Sequence, residues 1–449
     1  MIVAMKAAIL AIGSELLGTE RLDTNSLKLT AVLERYGVSL VTKRVLGDDE
    51  EAIAQDIRSL SDSVDLIMIT GGLGPTRDDR TRSAVARAFD LGLSTDEALV
   101  EHIRALFASF GRVMPEVNRR QAEVIDGAEV LSNPKGTAPG QLVSHGDCSV
   151  FLFPGVPREL KAMIERHLDP WLVHKTSDGS DDPVMVEHHT VKLACRAESE
   201  VEETLAPIYE KYGHDAVAVL ASPGDIKIQV TARGTRDQRR AAMEPLVADL
   251  EELLGVSVYH SAIGEGLTSE ARLEAVVGSV LEHAGLTMVT AESCTGGLVA
   301  ERMTRVPGSS GWFLGGAVTY TNELKHQMLD VPMELFESHG AVSEPVARAM
   351  AEGARRNLGA DIAVSMTGIA GPGGGSEHKP VGMVHLAVAG PGDSVQHRRV
   401  IFPGDRERIR LMTSQLALEM VRRQIVAPKP SPSAETSTLK SSTLKEAAE

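Results

Sequence analysis

The sequence reads as α/β: two three-layer domains with mainly parallel sheets, joined by a small α+β domain. Three observations carry this reading. At 449 residues the chain is too long for one ordinary domain, and roughly two to four are expected. Glycine is abundant at 41 residues while aromatics make up only 3%, which suits many tight strand-to-helix turns better than an aromatic-rich sandwich. Short apolar runs also alternate with helix-period segments. Repeated β-α-β order implies a parallel sheet with helices on both faces.

The first domain is expected over 1–173. KAAILAIG (6–13) reads as a strand and TNSLKLTAVLERYG as a helix capped by Thr24 or Asn25. SLVTKRVLG follows as a strand, EEAIAQDIRSL as a helix and VDLIMITGG as a buried strand. After another helical stretch, CSVFLFPGVP gives a strand and RELKAMIERHL a helix. Ligands in such folds sit at the carboxyl ends of strands. Here those ends carry Gly13-Ser14-Glu15, Gly71-Gly72-Leu73-Gly74 and Pro154-Gly155.

The polar stretch KTSDGSDDP (175–183) opens a second domain, expected over 174–260. VMVEHHTVKLAC, a helix around 197–212, the strands AVAVLAS and DIKIQVTARG, and the helix RDQRRAAMEPLVADLEELLG make up this α+β unit. The layout resembles a KH-type domain, but there is no GxxG loop and the helix carries Glu198, Glu200, Glu202 and Glu203. A spacer or dimerisation module is therefore preferred over RNA binding. The third domain is expected over 261–427, with SEARLEAVVGSVLEHAG as a helix and LTMVTAE as a strand before a glycine-bearing turn. The tail 428–449 repeats STLK without apolar periodicity and is expected to be disordered.

Composition excludes several classes. A hydrophobic fraction of 43% supports packed cores, and a formal charge of −16 argues against direct, sequence-independent nucleic-acid binding. One arginine or helix start can still hold a small anion. Cys148, Cys195 and Cys294 show no ligand-like spacing, so neither disulfides nor structural zinc are expected, and a reducing cytoplasm is the expected location. MIVAMKAAILAIGSE reads as a first core strand and not as a signal peptide. No segment approaches the ~18 uninterrupted apolar residues of a membrane span.

The chemistry concentrates in two places. AESCTGG (291–297) stands where a strand turns into a helix, which exposes a small side chain and aims backbone N–H groups that could hold a developing oxyanion. Ser293, Cys294 and Thr295 are the candidate nucleophiles there. Asn322 reads as a helix cap that would fix Lys325 in the first turn, beside Tyr320. A tyrosine at a strand end usually packs, and a first-turn lysine usually points into water. TGIAGPGGGSEHKPVG (367–382) is too glycine-rich for ordinary packing and suits close backbone approach to a ligand. Arg406, ahead of a helix, is a candidate phosphate or carboxylate clamp.

AESCTGG, VPGSSGWFLGG, TYTNELK, HGAVSEPVA, TGIAGPGGG with KPVG, and FPGDR resemble, in this order, the CinA C-terminal family of nicotinamide mononucleotide deamidases. The likeness spans about 267–426. It implies hydrolysis of nicotinamide mononucleotide to nicotinate mononucleotide and ammonia, without a cofactor, with functional positions at Ser293, Ser310, Tyr320, Lys325 and Arg406. Ser293 is preferred as nucleophile because it occupies the turn, then Ser310, with Cys294 behind both. Lys325 would be the base and Tyr320 would relay or orient the proton. Thr295, Gly296, Gly371 and Gly373 are further candidates for substrate contact.

In the first domain, GGLGPTRDD (71–79) follows a buried strand; its glycines would admit a phosphate and Asp78-Asp79 a divalent cation. IGSELL, DTNS, GGLGPTRDD, NPKGTAPG and FPGVPREL together resemble the molybdopterin-binding fold of CinA N-terminal domains over about 5–172. The resemblance implies a metal-assisted ADP-ribose pyrophosphatase. Asp78 and Asp79, with Glu15 third, are the metal candidates. Gly71, Gly72, Gly74, Ser14, Asn25, Lys135 and Gly136 are the candidates for ligand contact. The expected partners are small-molecule nucleotides and, from the family, a second copy in a homodimer. A molybdopterin-binding or adenylylating protein, and a non-enzymatic partner of a DNA-processing protein, are the alternatives.

Overall fold

A computed structural model describes residues 5–19, 21–177, 182, 184–263, 271–392 and 394–426. The expected tail 428–449 lies outside the described residues. By compactness the chain divides into two units, 1–188 with 231–245 and 189–230 with 246–449.

The first sheet has six strands: β1 (Lys6–Ile12), β2 (Ser39–Leu46) and β3 (Leu66–Thr70), then, beyond the short ribbon of β4 (Leu93–Thr95) and β5 (Glu123–Ile125), β6 (Glu129–Leu131), β7 (Gly140–His145) and β8 (Cys148–Phe153). Their order is β2-β1-β3-β8-β7-β6, and only β7 runs against the rest. The pleat turns alternate residues to opposite faces. Ala8 and Leu10 pack with Ile53 and Ile57, whereas Ala7 and Ile9 pack with Leu29 and Leu33. That alternation makes three layers. The helix Asn25–Arg35 is held at its start by Asp23, whose carboxylate accepts from Ser26 N at 2.9 Å, and not by Thr24 or Asn25.

The middle of the chain forms a four-stranded sheet, β9 (Met185–Ala194), β10 (Val217–Ser222), β11 (Asp225–Gly234) and β12 (Val258–Ile263), in the order β10-β11-β9-β12. The single helix expected around 197–212 is two, Glu198–Thr204 and Ala206–Tyr212. Pro207 enters the first turn of the second, where its missing N–H is tolerated.

The third sheet runs β14-β13-β15-β16-β17, built from β13 (Met288–Glu292), β14 (Phe313–Val318), β15 (Ile362–Gly368), β16 (Met383–Ala389) and β17 (Val395–Ile401). Here β16 alone is reversed. Met288 and Val364 pack against Leu281 and Val421 on one face, and Val289 and Ala363 against Leu329 and Met350 on the other. In both large sheets the strand order switches beside the first strand, opening a crevice at the carboxyl ends. Among the described residues no helix is long and apolar enough to cross a membrane.

One contact fixes the helix Asn322–Leu329 in place. Gly353, inside the helix Glu344–Leu358, is so close that an added Cβ would lie 1.7 Å from the Leu329 carbonyl oxygen. Alanine normally favours a helix by about 0.5–1 kcal/mol over glycine. Gly353→Ala should nevertheless destabilise the domain by roughly 1–3 kcal/mol, the usual range for overpacking. Urea unfolding followed by circular dichroism measures this, and an unchanged or raised midpoint would contradict the packing argument.

Candidate active site

The chain leaves β13 at Glu292 and turns immediately. Gly296 and Gly297 sit at φ +61° and +94°, a region side-chained residues rarely adopt. Ser293 N donates to Met366 O at 3.1 Å and Thr319 N to Glu292 O at 2.8 Å, so both residues continue the sheet past its strand ends. Thr321, and not Asn322, caps the next helix, its hydroxyl accepting from Leu324 N at 3.3 Å. Lys325 falls in the first turn as expected, but its side chain points inward and is 1% exposed.

The Lys325 amine donates to Ser293 Oγ at 3.1 Å, to Thr319 O at 2.9 Å and to Tyr320 O at 3.4 Å. Burial pushes this amine down to about 8, because a charged group loses its hydration there. A neutral lysine has a lone pair that can take a hydroxyl proton, which an ammonium lacks. Near neutral pH the pair therefore has an accessible base-and-nucleophile state. Cys294 is also buried, and burial pushes its thiol up to about 12, so it offers little thiolate.

Around this pair lie two arginines one helical turn apart. Arg406 donates to Gly371 O at 3.0 Å and to the Tyr320 hydroxyl at 3.0 Å. Arg410 donates to Thr295 O at 2.6 Å. Neither forms an ion pair among the described residues. Two guanidinium groups held only by neutral acceptors suit an anion such as a phosphate. Sequence reasoning missed Arg410, although its spacing four residues after Arg406 on a helix was a usable signal.

The structure corrects other expectations. Ser310 lies in the turn Ser309–Gly311 before β14, and β14 pairs with β13 in parallel, Phe313 against Met288 and Val318 against Glu292. It therefore stands at the opposite end of the strands from Ser293 and is exposed. Tyr320 turns its hydroxyl to Arg406, and only its backbone carbonyl reaches Lys325. Gly371 touches Arg406, whereas Gly373 is exposed and forms no bond to the pair among the described residues. The helix-start N–H groups expected to be free are partly taken: the fully buried Glu292 accepts from Gly297 N, Val299 N and Ala300 N at 2.9, 3.2 and 2.8 Å. Nothing in the sequence distinguished Glu292 from a solvent-facing acid.

In the first domain a cleft of about 400 Å³ opens at the ends of β1, β3 and β8. Gly71, Gly72, Gly74 and Asn25 line it. Gly71 is required there, since a Cβ would lie 2.1 Å from Ile12 O. Asn25 donates to Thr70 Oγ1 at 3.0 Å and Gly155 O at 2.8 Å, joining the ends of two strands. Ser14 instead exchanges bonds with Asp48, and the 133–140 loop reaches the cleft through Thr137 and Ala138 and not through Lys135 or Gly136.

Asp78, Asp79 and Glu15 also line the cleft but do not converge. Asp79 accepts from Gly74 N at 2.7 Å and Thr76 N at 2.8 Å, which folds the glycine loop. Glu15 pairs with Arg21 at 3.3 Å. Asp79 also accepts from the Thr76 hydroxyl, and Asp78 beside it is exposed, its carboxyl held below the usual range by Thr76 first and by its own backbone N–H. Among the described residues no three His, Cys, Asp or Glu side chains are grouped to hold a metal ion. The residues present do not fit a preassembled metal centre.

The domains that carry these sites are similar to known proteins. Residues 270–425 match the CinA C-terminal domain, 8–174 the probable molybdopterin binding domain and 188–259 the damage-inducible protein CinA KH domain. A CinA-like protein of Solibacter usitatus is 44% identical over 423 residues, 94% of this chain and 98% of that protein. The chain belongs to the CinA family. Another CinA-like protein, from Koribacter versatilis, is 44% identical over 428 residues, 94% of this chain and 100% of its own length. The crystal structure of a competence/damage inducible protein from Agrobacterium tumefaciens is 46% identical, covering 33% of this CinA chain and 91% of that one, with a TM-score of 0.33.

A lysine depressed to about 8 from its ordinary 10.5 weakens the fold wherever the unfolded chain would carry it protonated. The penalty is complete below about 8 and shrinks to nothing as pH rises to the unfolded value. At about 1.4 kcal/mol per pKa unit it is on the order of 3 kcal/mol. The stability of the parent relative to Lys325→Met should therefore be flat below about pH 8 and rise by that amount between pH 8 and 10.5. A difference in urea unfolding that stays constant across that range would mean the amine is solvated.

Proposed function

We propose that the third domain hydrolyses the carboxamide of nicotinamide mononucleotide, giving nicotinate mononucleotide and ammonia, with Ser293 as nucleophile and Lys325 as general base. The observation that carries this reading is the buried Lys325 amine 3.1 Å from Ser293 Oγ. Amide hydrolysis needs a nucleophile whose proton can be removed at neutral pH, and an adjacent low-pKa amine supplies that. Ser293 Oγ attacks the amide carbon as its proton passes to Lys325 Nζ. The same proton then leaves on the ammonia, and water releases the acyl group by the reverse path. The ligand's pyridinium charge further favours a neutral Lys325, and its phosphate suits the Arg406 and Arg410 guanidinium groups.

For the first domain, the cleft at the strand ends supports a phosphorylated ligand, and ADP-ribose hydrolysis to AMP and ribose 5-phosphate is the accompanying proposal. The divalent ion it depends on would be carried in by the ligand's diphosphate, because the described residues assemble no metal centre of their own. The two activities should separate. A chelator, or Asp78→Ala with Asp79→Ala, should stop ADP-ribose hydrolysis and leave ammonia release unchanged. Loss of deamidation in the chelator would overturn the metal-free reading of the third domain.

The deamidase reading has its own test in an ammonia assay. Ser293→Ala should abolish turnover and Cys294→Ala should retain most of it. Lys325→Arg keeps the charge but cannot deprotonate at accessible pH, and should lose roughly 10²–10⁴-fold, as for removal of a general base. In the parent, turnover should rise with pH and level off above about 8, because only the neutral amine is competent. An arginine variant within a few-fold of the parent would reduce Lys325 to a fixed charge.

A further inference from the structure

The turn after β13 allows a complete account of its backbone N–H groups. Ser293 N is bonded to Met366 O, Gly296 N to Ser293 O at 3.1 Å and Leu298 N to Thr295 O at 3.4 Å. Gly297, Val299 and Ala300 donate to the Glu292 carboxylate. Only the N–H groups of Cys294 and Thr295 have no oxygen acceptor among the described residues. Both donate instead to the Cys294 sulfur, which is a weak acceptor. The Thr295 hydroxyl is fully buried and has no partner among the described residues. Buried donors left to so weak an acceptor, beside a buried hydroxyl with none, are unusual and call for an explanation.

Resting on the amidase reading above, we infer that Glu292 is a positioning residue that ties off the helix start and thereby reserves the Cys294 and Thr295 N–H groups, with the Thr295 hydroxyl, as the oxyanion site beside Ser293. When Ser293 Oγ bonds to the amide carbon, the carbonyl π pair moves onto oxygen, and the Oγ proton goes to Lys325. The N–H of the residue following a nucleophilic serine is a recurrent donor to such an oxygen. Glu292 acts through geometry. Its carboxylate offers two oxygens to three donors, so the turn is held from its far side and cannot swing toward the nucleophile. A phosphate cannot use those three N–H groups either, which leaves anion recognition to Arg406 and Arg410.

The test uses the full-length protein and two readouts: ammonia release from nicotinamide mononucleotide, and phosphonylation of Ser293 by a fluorophosphonate probe, located by peptide mass spectrometry. Glu292→Gln presents an amide N–H₂ to backbone donors and should displace the turn. Both kcat and the phosphonylation rate should fall about 10²-fold, on the scale of losing one oxyanion donor. KM should stay within about threefold and the pH midpoint of labelling should not move. Thr295→Ala should lower kcat in the same direction with a smaller effect. Glu292→Asp, shorter by one methylene, replaces the glutamine variant if that one does not fold, with the same expected results. Rates within threefold of the parent, or a loss that tracks a shifted pH midpoint, would overturn the inference. If the parent is labelled at Ser293 yet releases no ammonia, the substrate assignment fails while labelling still decides the role of Glu292.

Discussion

Taking the Lys325 side chain out of water is the constraint around which the third domain is arranged. A charged amine is poorly tolerated there, and the site answers with acceptors: the Ser293 hydroxyl and the carbonyls of Thr319 and Tyr320. Those carbonyls are available because the chain leaves β14 at Val318 and starts the next helix only at Asn322. The helix carrying Lys325 is in turn pressed against Gly353 at its far end. Loosening any of these would admit water, let the amine recover its ordinary basicity and leave it permanently protonated near pH 7.

Both large domains solve the same local problem in the same way. Each places a glycine-bearing turn just beyond a buried strand, and each stabilises it with a nearby carboxylate that accepts from several donors. Asp79 holds Gly74 and Thr76, and Glu292 holds Gly297, Val299 and Ala300. A carboxylate accepting from backbone N–H groups is a strong, charge-assisted arrangement. An acid committed in this way is a poor metal ligand. That is why the paired aspartates of the first domain do not behave as their spacing suggested, and only Asp78 remains open to the cleft.

The layer architecture was legible because strand and helix periodicities survive in the chain: the alternation of Ala7, Ala8, Ile9 and Leu10 between two cores follows directly from a period of two. The Ser293–Lys325 pair was legible only through the family resemblance, because a first-turn lysine read from local pattern alone would point into water. What periodicity cannot supply is which end of a strand a loop residue reaches. Ser310, seventeen positions after Ser293, looked close in sequence and lies at the other end of the sheet, because a parallel connection must return the chain to the start of the next strand. Nor could spacing reveal that Glu292 faces inward or that the Tyr320 hydroxyl is engaged by Arg406.

Arg406 and Arg410, without acidic partners among the described residues, also bear on how a ligand would arrive. The chain carries a formal charge of −16, so an approaching phosphate meets overall repulsion first. The attraction of Arg406 and Arg410 is felt only within about one Debye length, roughly 8 Å at physiological ionic strength. Added salt would then have opposed effects, easing the long-range approach while weakening the final grip. Capture of an anion by such a surface is a short-range event, decided after collision and not steered from a distance.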